Sequence, residues 1–363
     1  MPGMDYNPRA ATRSWFAQAD FGLFIHYGLY AQRGRGEWTM YHDRVPVSEY
    51  ERLAEGFAPT AFDADLITDL ACEAGMRYVN LTACHHDGFC LWDSAQEPFN
   101  SMRHGGRDLV REMAGQCARK GLGFFAYFTH ALNWRHPHAF SRDQLPMGRP
   151  DYAQPEPRYA AADTYDPARF WEWSHACLRE LCALDAPLSG LWLDLIATWY
   201  ERPDLVPIEA TYRLIRSLRP GALVSYKQGA TGDEDFAAPE FHFASLAERF
   251  ASAGKPEAAA RAAQAWATNK IKHNEICMTL QDRGWGYVAD SRHKTADELW
   301  GNLAYARMHN CNLLANVGPL PDGSIHLEDV ATLREVGRRL RLHGPPGADE
   351  ASGPRTASGA AAV

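Results

Sequence analysis

One carboxylate interrupts an otherwise apolar segment near the middle of the chain. Asp194 lies within residues 190–196, Gly-Leu-Trp-Leu-Asp-Leu-Ile, whose composition is typical of a strand buried on both faces. A buried carboxylate is unfavourable unless a partner pairs with it. Donors such as Lys227 and the histidines would keep Asp194 ionised as a nucleophile, and a structural ion pair with a neighbouring strand is the alternative.

Polar or aromatic side chains also lie at the ends of other strand-like segments. In a barrel of alternating strands and helices, the carboxyl ends of the strands together form the active site. The repeated placement therefore predicts a site at that face of the barrel. The candidate side chains are His26, His85, His86, Tyr127, Trp192 and Lys227.

The adjacent pair His85-His86 allows three interpretations. Neighbouring side chains at a strand end should point in opposite directions, so a shared metal ion is disfavoured and HxH spacing would suit it better. One buried and one surface histidine is the plain structural interpretation. Recognition of sugar hydroxyls by imidazole donors and acceptors is the third. A metal-dependent barrel hydrolase stays an alternative, although no metal and no cofactor are expected.

A carboxylate and an indole stand side by side after the first strand-like segment. Glu37 and Trp38 follow the loop 33–36, Arg-Gly-Arg-Gly. A glutamate accepts hydrogen bonds from hydroxyl groups and a tryptophan offers a flat apolar face, so the pair suits a sugar. An ordinary surface loop is the alternative.

Seven short apolar segments alternate with amphipathic stretches along the chain. This order predicts an α/β protein with a (β/α)8-like, TIM-type barrel. No clean eighth strand is visible, so one unit is allowed to be irregular. An open doubly wound sheet is the alternative, but no GxGxxG motif follows a strand. The predicted strands are Phe21–Tyr27, Tyr78–Cys84, Gly123–Thr129, Leu191–Ile196, Leu223–Lys227, Ile276–Leu280 and Asn312–Val317.

Local signals mark several helix ends and the domain boundary. Ser48-x-x-Glu51 and Thr295-x-x-Glu298 have the pattern of capping boxes. Residues 1–344 are predicted to form one catalytic barrel domain. Residues 345–363 are rich in Gly, Ala, Ser and Pro, which predicts a disordered tail. The segment 141–163 has no periodicity and is predicted to be a long loop near the mouth of the barrel.

The composition excludes several classes of partner. The 363 residues include 37 Lys and Arg against 45 Asp and Glu, so neither nucleic acid nor an anionic membrane is expected as a partner. The chain shows no secretory signal and no bilayer-spanning stretch, which favours a cytoplasmic protein. The eight cysteines lack CxxC spacing and are predicted to be reduced and mostly buried.

Several motifs together resemble a known family of enzymes. They are FGLFIHYGLY, LTACHHDGFCLWDS, RDLVREM, LWLD, CMTLQDRGWGY and NLLANVGPLPDG, and they extend over about residues 15 to 343. In this order they resemble family 29 of the glycoside hydrolases, the α-L-fucosidases. The resemblance implies a retaining exo-glycosidase with a (β/α)-barrel catalytic domain and no cofactor.

The resemblance also implies a role for each candidate residue. Asp194 matches the nucleophile and Glu240 matches the acid/base, with Glu275 and Glu234 as alternatives for the acid/base. The residues implied to bind the sugar are His26, Glu37, Trp38, His85, His86, Tyr127, Trp192, Lys227 and Trp285.

Two departures from the family leave the substrate open. The family often reads Trp-x-Asp-Gly at the nucleophile, whereas Leu195 follows Asp194 here. The C-terminal β-sandwich of many members is expected to be absent. The predicted substrate is a fucosylated oligosaccharide or glycoside. The alternatives are a same-family glycosidase or transglycosidase that acts on another sugar or a natural-product glycoside, and a sugar-binding protein with weak catalysis. A homo-oligomer is an open possibility.

Overall fold

The structure, a computed structural model, describes residues 7–351, and its centre is a sheet of seven parallel strands. The strands are β1 (Phe21–Ile25), β2 (Tyr78–Cys84), β3 (Gly123–Thr129), β4 (Gly190–Asp194), β5 (Leu223–Tyr226), β6 (Asn274–Thr279) and β7 (Cys311–Val317). Their order across the sheet is β5-β4-β3-β2-β1-β7-β6. All seven predicted strands are confirmed, and the predicted bounds differ from the observed ones by at most two residues.

An irregular extended segment, residues 235–241, occupies the gap between β5 and β6. It makes one isolated parallel bridge to β5, between Ser225 and Phe236, and one to β6, between Glu240 and Cys277. Two backbone N–H groups of β6 donate hydrogen bonds of 2.9 and 3.1 Å to carbonyl groups of this segment. The segment is the irregular eighth unit of the barrel. The predicted (β/α)8-like barrel is therefore confirmed, together with its irregular unit.

Helices surround the barrel and connect its strands. They are α1 (Pro8–Phe16), α2 (Thr39–His42), α3 (Val47–Glu51), α4 (Ala64–Glu73), α5 (Ser101–Gly105), α6 (Leu109–Lys120), α7 (Pro167–Cys182), α8 (Ile196–Glu201), α9 (Ile208–Leu218), α10 (Ala247–Ser252), α11 (Pro256–Asn269), α12 (Ala296–Met308) and α13 (Leu327–His343). The capping box of Thr295 and Glu298 is confirmed. The box predicted at Ser48 is wrong, because α3 already begins at Val47 after Pro46.

Two apolar cores stabilise this arrangement. The larger core fills the space between the sheet and the helices. The smaller core fills the barrel interior and is mostly aromatic, with Phe24, Tyr78 and Trp192 among its members. Gly22 on β1 makes room for the Tyr78 ring, because a Cβ atom at Gly22 would lie 2.4 Å from ring atom Cζ. The floor of the barrel is thus built from large rings placed against a strand position without a side chain.

The loop between β3 and α7 lies beside the loop that follows β1. The hydroxyl of Tyr152 donates to the carbonyl of Val45 at 2.8 Å, and the carboxylate of Glu156 accepts from the N–H of Val47 at 3.1 Å. The predicted loop 141–163 contains neither helix nor strand, as expected. These contacts bring two long connections together at one end of the barrel.

Ordered contacts continue a few residues past the last long helix. Glu350, in a 3-10 turn at Ala348–Glu350, accepts a hydrogen bond of 2.9 Å from Trp300 Nε1. Residues 352–363, which form most of the tail predicted to be disordered, lie outside the described residues. Among the helices of residues 7–351, none combines the length and the apolar character needed to cross a membrane. The eight cysteines are free, and all but Cys72 are buried.

Candidate active site

A cavity of about 710 Å³ opens among the residues that end the strands or directly follow them. Most of the residues predicted to form a site are brought together in its wall. Glu234 and Glu275, the two alternative acids, do not line it. The predicted residues in the wall are His26, Glu37, Trp38, His85, His86, Tyr127, Trp192, Asp194, Lys227, Glu240 and Trp285.

Asp194 is the last residue of β4 and is held by three donors. Its Oδ2 accepts from the Tyr127 hydroxyl at 2.5 Å, and its Oδ1 accepts from the N–H of Leu195 at 2.6 Å. Lys227 Nζ lies 3.2 Å from the same Oδ1. Burial alone would raise the pKa of Asp194, but these three groups outweigh it and hold the pKa below its ordinary value. Asp194 is therefore ionised at neutral pH.

Lys227 contacts two carboxylates with one ammonium group. Besides Asp194, its Nζ forms an ion pair and hydrogen bond with Oε1 of Glu240, at the end of the irregular segment. Burial would lower the pKa of Lys227, but the negative charges of Asp194 and Glu240 raise it. The indole of Trp192 also lies close to this ammonium, with its ring centroid 5.1 Å from Nζ. One cation thus links Asp194 and Glu240 in the wall of the cavity.

The backbone is left-handed at three positions around these charges. Leu195, Lys227 and Phe241 have φ values of 70°, 48° and 59°. Such values are uncommon for residues other than glycine, and they concentrate at functional sites. The value at Leu195 explains why glycine suits the position after the nucleophile. Here a leucine adopts this left-handed geometry.

His85 and His86 both line the cavity, with ring centroids 3.9 Å apart. The prediction that they point in opposite directions is therefore wrong. The strand β2 ends at Cys84, and its register with β3 shifts between Thr82 and Cys84, so simple alternation stops before the histidines. The His85 ring lies parallel to Tyr127 at 5.4 Å. The pair forms one polar and aromatic wall of the cavity.

His26 forms the adjoining part of that wall. Its Nδ1 pairs with Oδ1 of Asn316 at 2.5 Å, and Nδ1 of His86 pairs with the Thr129 hydroxyl at 2.9 Å. Burial, reinforced by neighbouring histidine and lysine charges, holds the pKa of His26, His85 and His86 well below the ordinary value. All three rings are therefore neutral at pH 7. Because Nδ1 is engaged in His26 and in His86, Nε2 is the ring nitrogen that each of these two residues can offer to a bound hydroxyl group.

Glu37 fixes the loop that carries Trp285. Its Oε2 accepts from the N–H groups of Trp285 and Gly286, both at 2.8 Å. Burial raises the pKa of Glu37 in spite of these hydrogen bonds. Asn316 supports the same loop, because its Nδ2 donates to the carbonyl of Trp285 at 2.7 Å. One oxygen of Glu37 is thus committed to the loop rather than to a ligand.

An aromatic niche lies beside the charged groups. The Trp285 ring lies 5.9 Å from Phe24 and 5.5 Å from Phe241 between centroids. Sequence reasoning missed both phenylalanines. Phe24 could have been found, because it lies two residues before His26 on the same side of β1. Phe241 carried no comparable signal, since it belongs to the irregular segment.

Trp38 lines the cavity beside His86. Its ring is half-buried and lies 4.9 Å from the ring of His86 and 4.9 Å from that of Trp134. Trp134 comes from the loop between β3 and α7. The two long connections therefore meet at this indole and hold it in place.

The two alternative acids have structural partners elsewhere. Glu234 accepts from the Tyr212 hydroxyl at 2.5 Å and from backbone N–H groups of residues 230–232. Burial opposes its ionisation, but these donors hold the pKa of Glu234 below its ordinary value. Glu275 lies inside the barrel, below the cavity, and accepts from Tyr78 and Trp192. Across residues 7–351, no group of three or more His, Cys, Asp or Glu side chains is placed to hold a metal ion.

Comparisons with known proteins show which family the chain resembles. The family described as alpha-L-fucosidase matches residues 4–345. Plasma alpha-L-fucosidase of Pongo abelii is 27% identical, over 91% of this chain and 68% of that protein. Among solved structures, alpha-L-fucosidase isoenzyme 1 from Paenibacillus thiaminolyticus is 29% identical with a TM-score of 0.74, over 93% of this chain and 77% of that one.

A second solved structure supports the fold. Alpha-L-fucosidase AlfC from Lactobacillus casei, in complex with its product alpha-L-fucose, is 24% identical with a TM-score of 0.72. The match covers 90% of this chain and 97% of that one. Together with the family match over nearly the whole sequence, these likenesses confirm the resemblance seen in the motifs. This chain belongs to the alpha-L-fucosidase family of glycoside hydrolases.

Proposed function

We propose that this protein is a retaining exo-α-L-fucosidase in which Asp194 is the nucleophile and Glu240 is the acid/base. The observation that carries the proposal is that both carboxylates contact the same atom, Nζ of Lys227. Their facing oxygens can be no farther apart than the sum of two hydrogen-bond lengths, roughly 6 Å. This close placement accommodates the separation of about 5–5.5 Å between the two carboxyl groups of retaining enzymes.

In the first step Asp194 attacks the anomeric carbon of the fucoside. Its lowered pKa keeps the carboxylate ionised for this attack. Glu240 gives a proton to the leaving oxygen, and the bond between the anomeric carbon and that oxygen breaks. Glu240 must hold a proton for this role, so substrate binding has to separate it from Lys227. Lys227 then serves Asp194 alone.

In the second step a water molecule opens the glycosyl-enzyme. Glu240, now a carboxylate, takes a proton from the water, which attacks the anomeric carbon and releases Asp194. Glu240 ends this step protonated, as the next first step requires, and it pairs with Lys227 as a carboxylate again only when that proton passes to solvent.

The neutral histidines and the aromatic niche support fucose as the sugar. Fucose carries hydroxyl groups and one C6 methyl group. The rings of His26, His85 and His86 can exchange hydrogen bonds with the hydroxyls. The methyl group fits the niche formed by Trp285 and its two neighbouring phenylalanines. Discrimination from galactose through this one group is worth about 1–3 kcal/mol.

The leaving group would lie toward the mouth of the cavity. Arg35 and Arg283, which are exposed, and Trp38, which is half-buried, line the cavity besides the predicted catalytic carboxylates. A fucosylated oligosaccharide or a glycoside with a flat aglycone suits this mixture of aromatic and cationic groups. Transfer to another sugar, and another glycone, stay alternatives. The cytoplasmic location and the oligomeric state stay predictions.

The first experiment measures release of 4-nitrophenol from its α-L-fucoside. We expect the wild type to release it and Asp194→Gly to lose at least about 10³-fold in kcat. Azide should rescue Asp194→Gly as a β-fucosyl azide and Glu240→Ala as an α-fucosyl azide, because azide replaces the nucleophile in one case and water in the other. The exposed Asp185→Ala is the matched control and should keep wild-type activity.

The stereochemical course is a separate test of the mechanism. Proton NMR of the first-formed product should show α-L-fucose before mutarotation, because two displacements retain configuration. β-L-Fucose as the first product would contradict the retaining mechanism. A folded wild-type protein that releases no 4-nitrophenol would contradict the fucosidase proposal, and a panel of other glycosides would follow.

A further inference from the structure

Glu275 is a buried carboxylate that the proposed mechanism does not use. It is 1% exposed, and the two groups found to bind it are both neutral. The Tyr78 hydroxyl donates to Oε2 at 2.5 Å, and Trp192 Nε1 donates to Oε1 at 2.9 Å. A carboxylate with so few partners is costly to bury. Its position must therefore serve something other than stability.

The contacts of Glu275 cross the interior of the barrel. Glu275 is on β6, whereas Tyr78 is on β2 and Trp192 is on β4. Neither of those strands is hydrogen-bonded to β6 in the sheet. Gly22 provides the space in which the Tyr78 ring can reach the carboxylate. A single side chain thus connects three separate strands beneath the cavity.

Above Glu275, Trp192 contacts the groups that bind the nucleophile. Tyr127 stacks on Trp192 with ring centroids 5.5 Å apart and an angle of 24° between planes. Lys227 Nζ lies 5.1 Å from the centroid of the same indole. Tyr127 and Lys227 are two of the three donors to Asp194. The orientation of one indole therefore affects two partners of the nucleophile.

We propose that Glu275 is a positioning residue that fixes the indole of Trp192 and, through it, the placement of Tyr127 and Lys227 at Asp194. Glu275 touches neither the sugar nor the reacting atoms in this role. Its Oε1 accepts the hydrogen bond from Nε1 and so fixes the orientation of the indole within its own plane. Stacking against Tyr127 alone does not fix this orientation. The inference rests on the proposed function.

A double-mutant cycle between Glu275 and Trp192 tests the proposal. Glu275→Leu removes the acceptor, and Trp192→Phe removes the donor. We expect Glu275→Leu to lower kcat about 30-fold and to change KM less than about 3-fold. The reason is that the partners of the nucleophile shift, whereas the groups that bind the sugar stay in place. In the Trp192→Phe background, Glu275→Leu should lower kcat less than about 3-fold further.

The conservative variant separates positioning from proton transfer. The amide oxygen of Glu275→Gln can still accept from Nε1, so kcat should stay within about 5-fold of the wild type. Asp329→Asn, at a buried carboxylate that pairs with His293 away from the cavity, is the matched control. If Glu275→Leu does not fold, Glu275→Ala takes its place in the cycle with the same expectations.

Near-ultraviolet circular dichroism gives a result that does not depend on fucosidase activity. The spectrum of each protein minus that of the same protein with Trp192→Phe reports how rigidly the indole of Trp192 is held. We expect this signal to survive in Glu275→Gln and to be lost in Glu275→Leu, with thermal unfolding confirming that both variants fold. If the wild type proves to be inactive, this measurement still tests the contact, and the failure belongs to the proposed function alone.

Three results would overturn the proposal. Glu275→Gln could be as slow as Glu275→Leu and recover with azide, which would make Glu275 the acid/base. Glu275→Leu and Trp192→Phe could have independent effects on kcat, which would show that Glu275 does not act through Trp192. The dichroism signal of Trp192 could persist in a folded Glu275→Leu, which would show that stacking alone fixes the indole.

Discussion

Lys227 places its Nζ 3.2 Å from Oδ1 of Asp194, at the ends of two adjacent strands. The same atom contacts Glu240, so removing the lysine would leave two carboxylates facing each other in a largely buried cavity. Lys227 therefore balances the negative charge of both predicted catalytic carboxylates. It also gives the most direct test of the electrostatic argument.

Replacing Lys227 with methionine should weaken the nucleophile at acidic pH. Without the positive charge, the pKa of Asp194 rises, so more of it is protonated and inactive. We expect kcat/KM to fall about 10- to 100-fold and the acid limb of its pH profile to move to higher pH. Lys227→Arg keeps the charge and should move the limb less. An acid limb that stays in place in Lys227→Met would contradict this account; Lys255→Met, at a surface pair, is the control.

Removing the carboxylate of Glu37 should loosen the loop that carries Trp285. Glu37→Ala leaves two N–H groups without their acceptor, at a cost of about 1–3 kcal/mol each when they stay buried. We expect KM for the fucoside to rise about 10-fold and the unfolding free energy to fall. Glu37→Gln keeps an acceptor and should have a smaller effect on both. Equal effects of the two substitutions would instead point to a direct ionic role for Glu37.

The aromatic niche should determine the preference for a methyl group over a hydroxymethyl group. We compare kcat/KM for the 4-nitrophenyl α-L-fucoside and the corresponding α-L-galactoside. The wild type should favour the fucoside, and Trp285→Ala should reduce the ratio about 10-fold, because the indole forms one side of the niche. Trp199→Ala, which alters an indole outside the cavity wall, should keep the wild-type ratio. An unchanged ratio in Trp285→Ala would place the methyl group elsewhere.

A methyl group added at Gly22 should disturb the barrel floor. The Cβ atom would lie 2.4 Å from the Tyr78 ring, which then cannot hold its place below the cavity. We expect Gly22→Ala to lower the unfolding free energy by about 1–3 kcal/mol in urea. Gly115→Ala, within α6, is the control and should instead stabilise by about 0.5–1 kcal/mol. Comparable stability of the two variants would contradict the tight packing of Tyr78.

The stability of the protein should depend on pH through Glu275. Burial raises its pKa to about 7 from an ordinary 4.5, so the folded state binds a proton that the unfolded state has released. The proton bound to Glu275 stabilises the folded state by up to about 3 kcal/mol below pH 4.5. This stabilisation is lost as the pH rises through 7. Glu275→Gln cannot titrate. Between pH 4.5 and 7 the unfolding free energy of the wild type should therefore fall relative to that of Glu275→Gln, and at higher pH the two should change in parallel. Unfolding free energies that change in parallel over the whole pH range would contradict a raised pKa of Glu275.

Sequence patterns predicted the regular part of the molecule well. Seven apolar segments predicted seven strands, because strands buried on both faces need continuous apolar sequence. Once the strands were predicted, side chains at their ends, such as His26 and Asp194, could be assigned to the site, because a barrel brings the carboxyl ends of all its strands to one face. Eleven of the predicted site residues line one cavity.

The parts that escaped prediction depend on irregular backbone or on contacts across the barrel. The segment 235–241 has no periodic pattern, so neither its role as the eighth unit nor the place of Phe241 could be read from it. A register shift in β2 turned His85 toward the same cavity as His86. The contacts of Glu275 join strands far apart in the sequence, and nothing local indicates them.

The irregular segment also affects how the family can vary. It follows β5 through residues 227–234, which contain neither helix nor strand, and the helices α8 and α9 separate β5 from β4. The number of residues between Asp194 and the proposed acid is therefore not set by the pleat of any one strand. Trp192 and Asp194, in contrast, lie two residues apart on β4, and the pleat of the strand directs both side chains to the same face. A nucleophile can be recognised by its neighbours in the chain, whereas the acid has to be recognised by where its carboxyl group ends up in space.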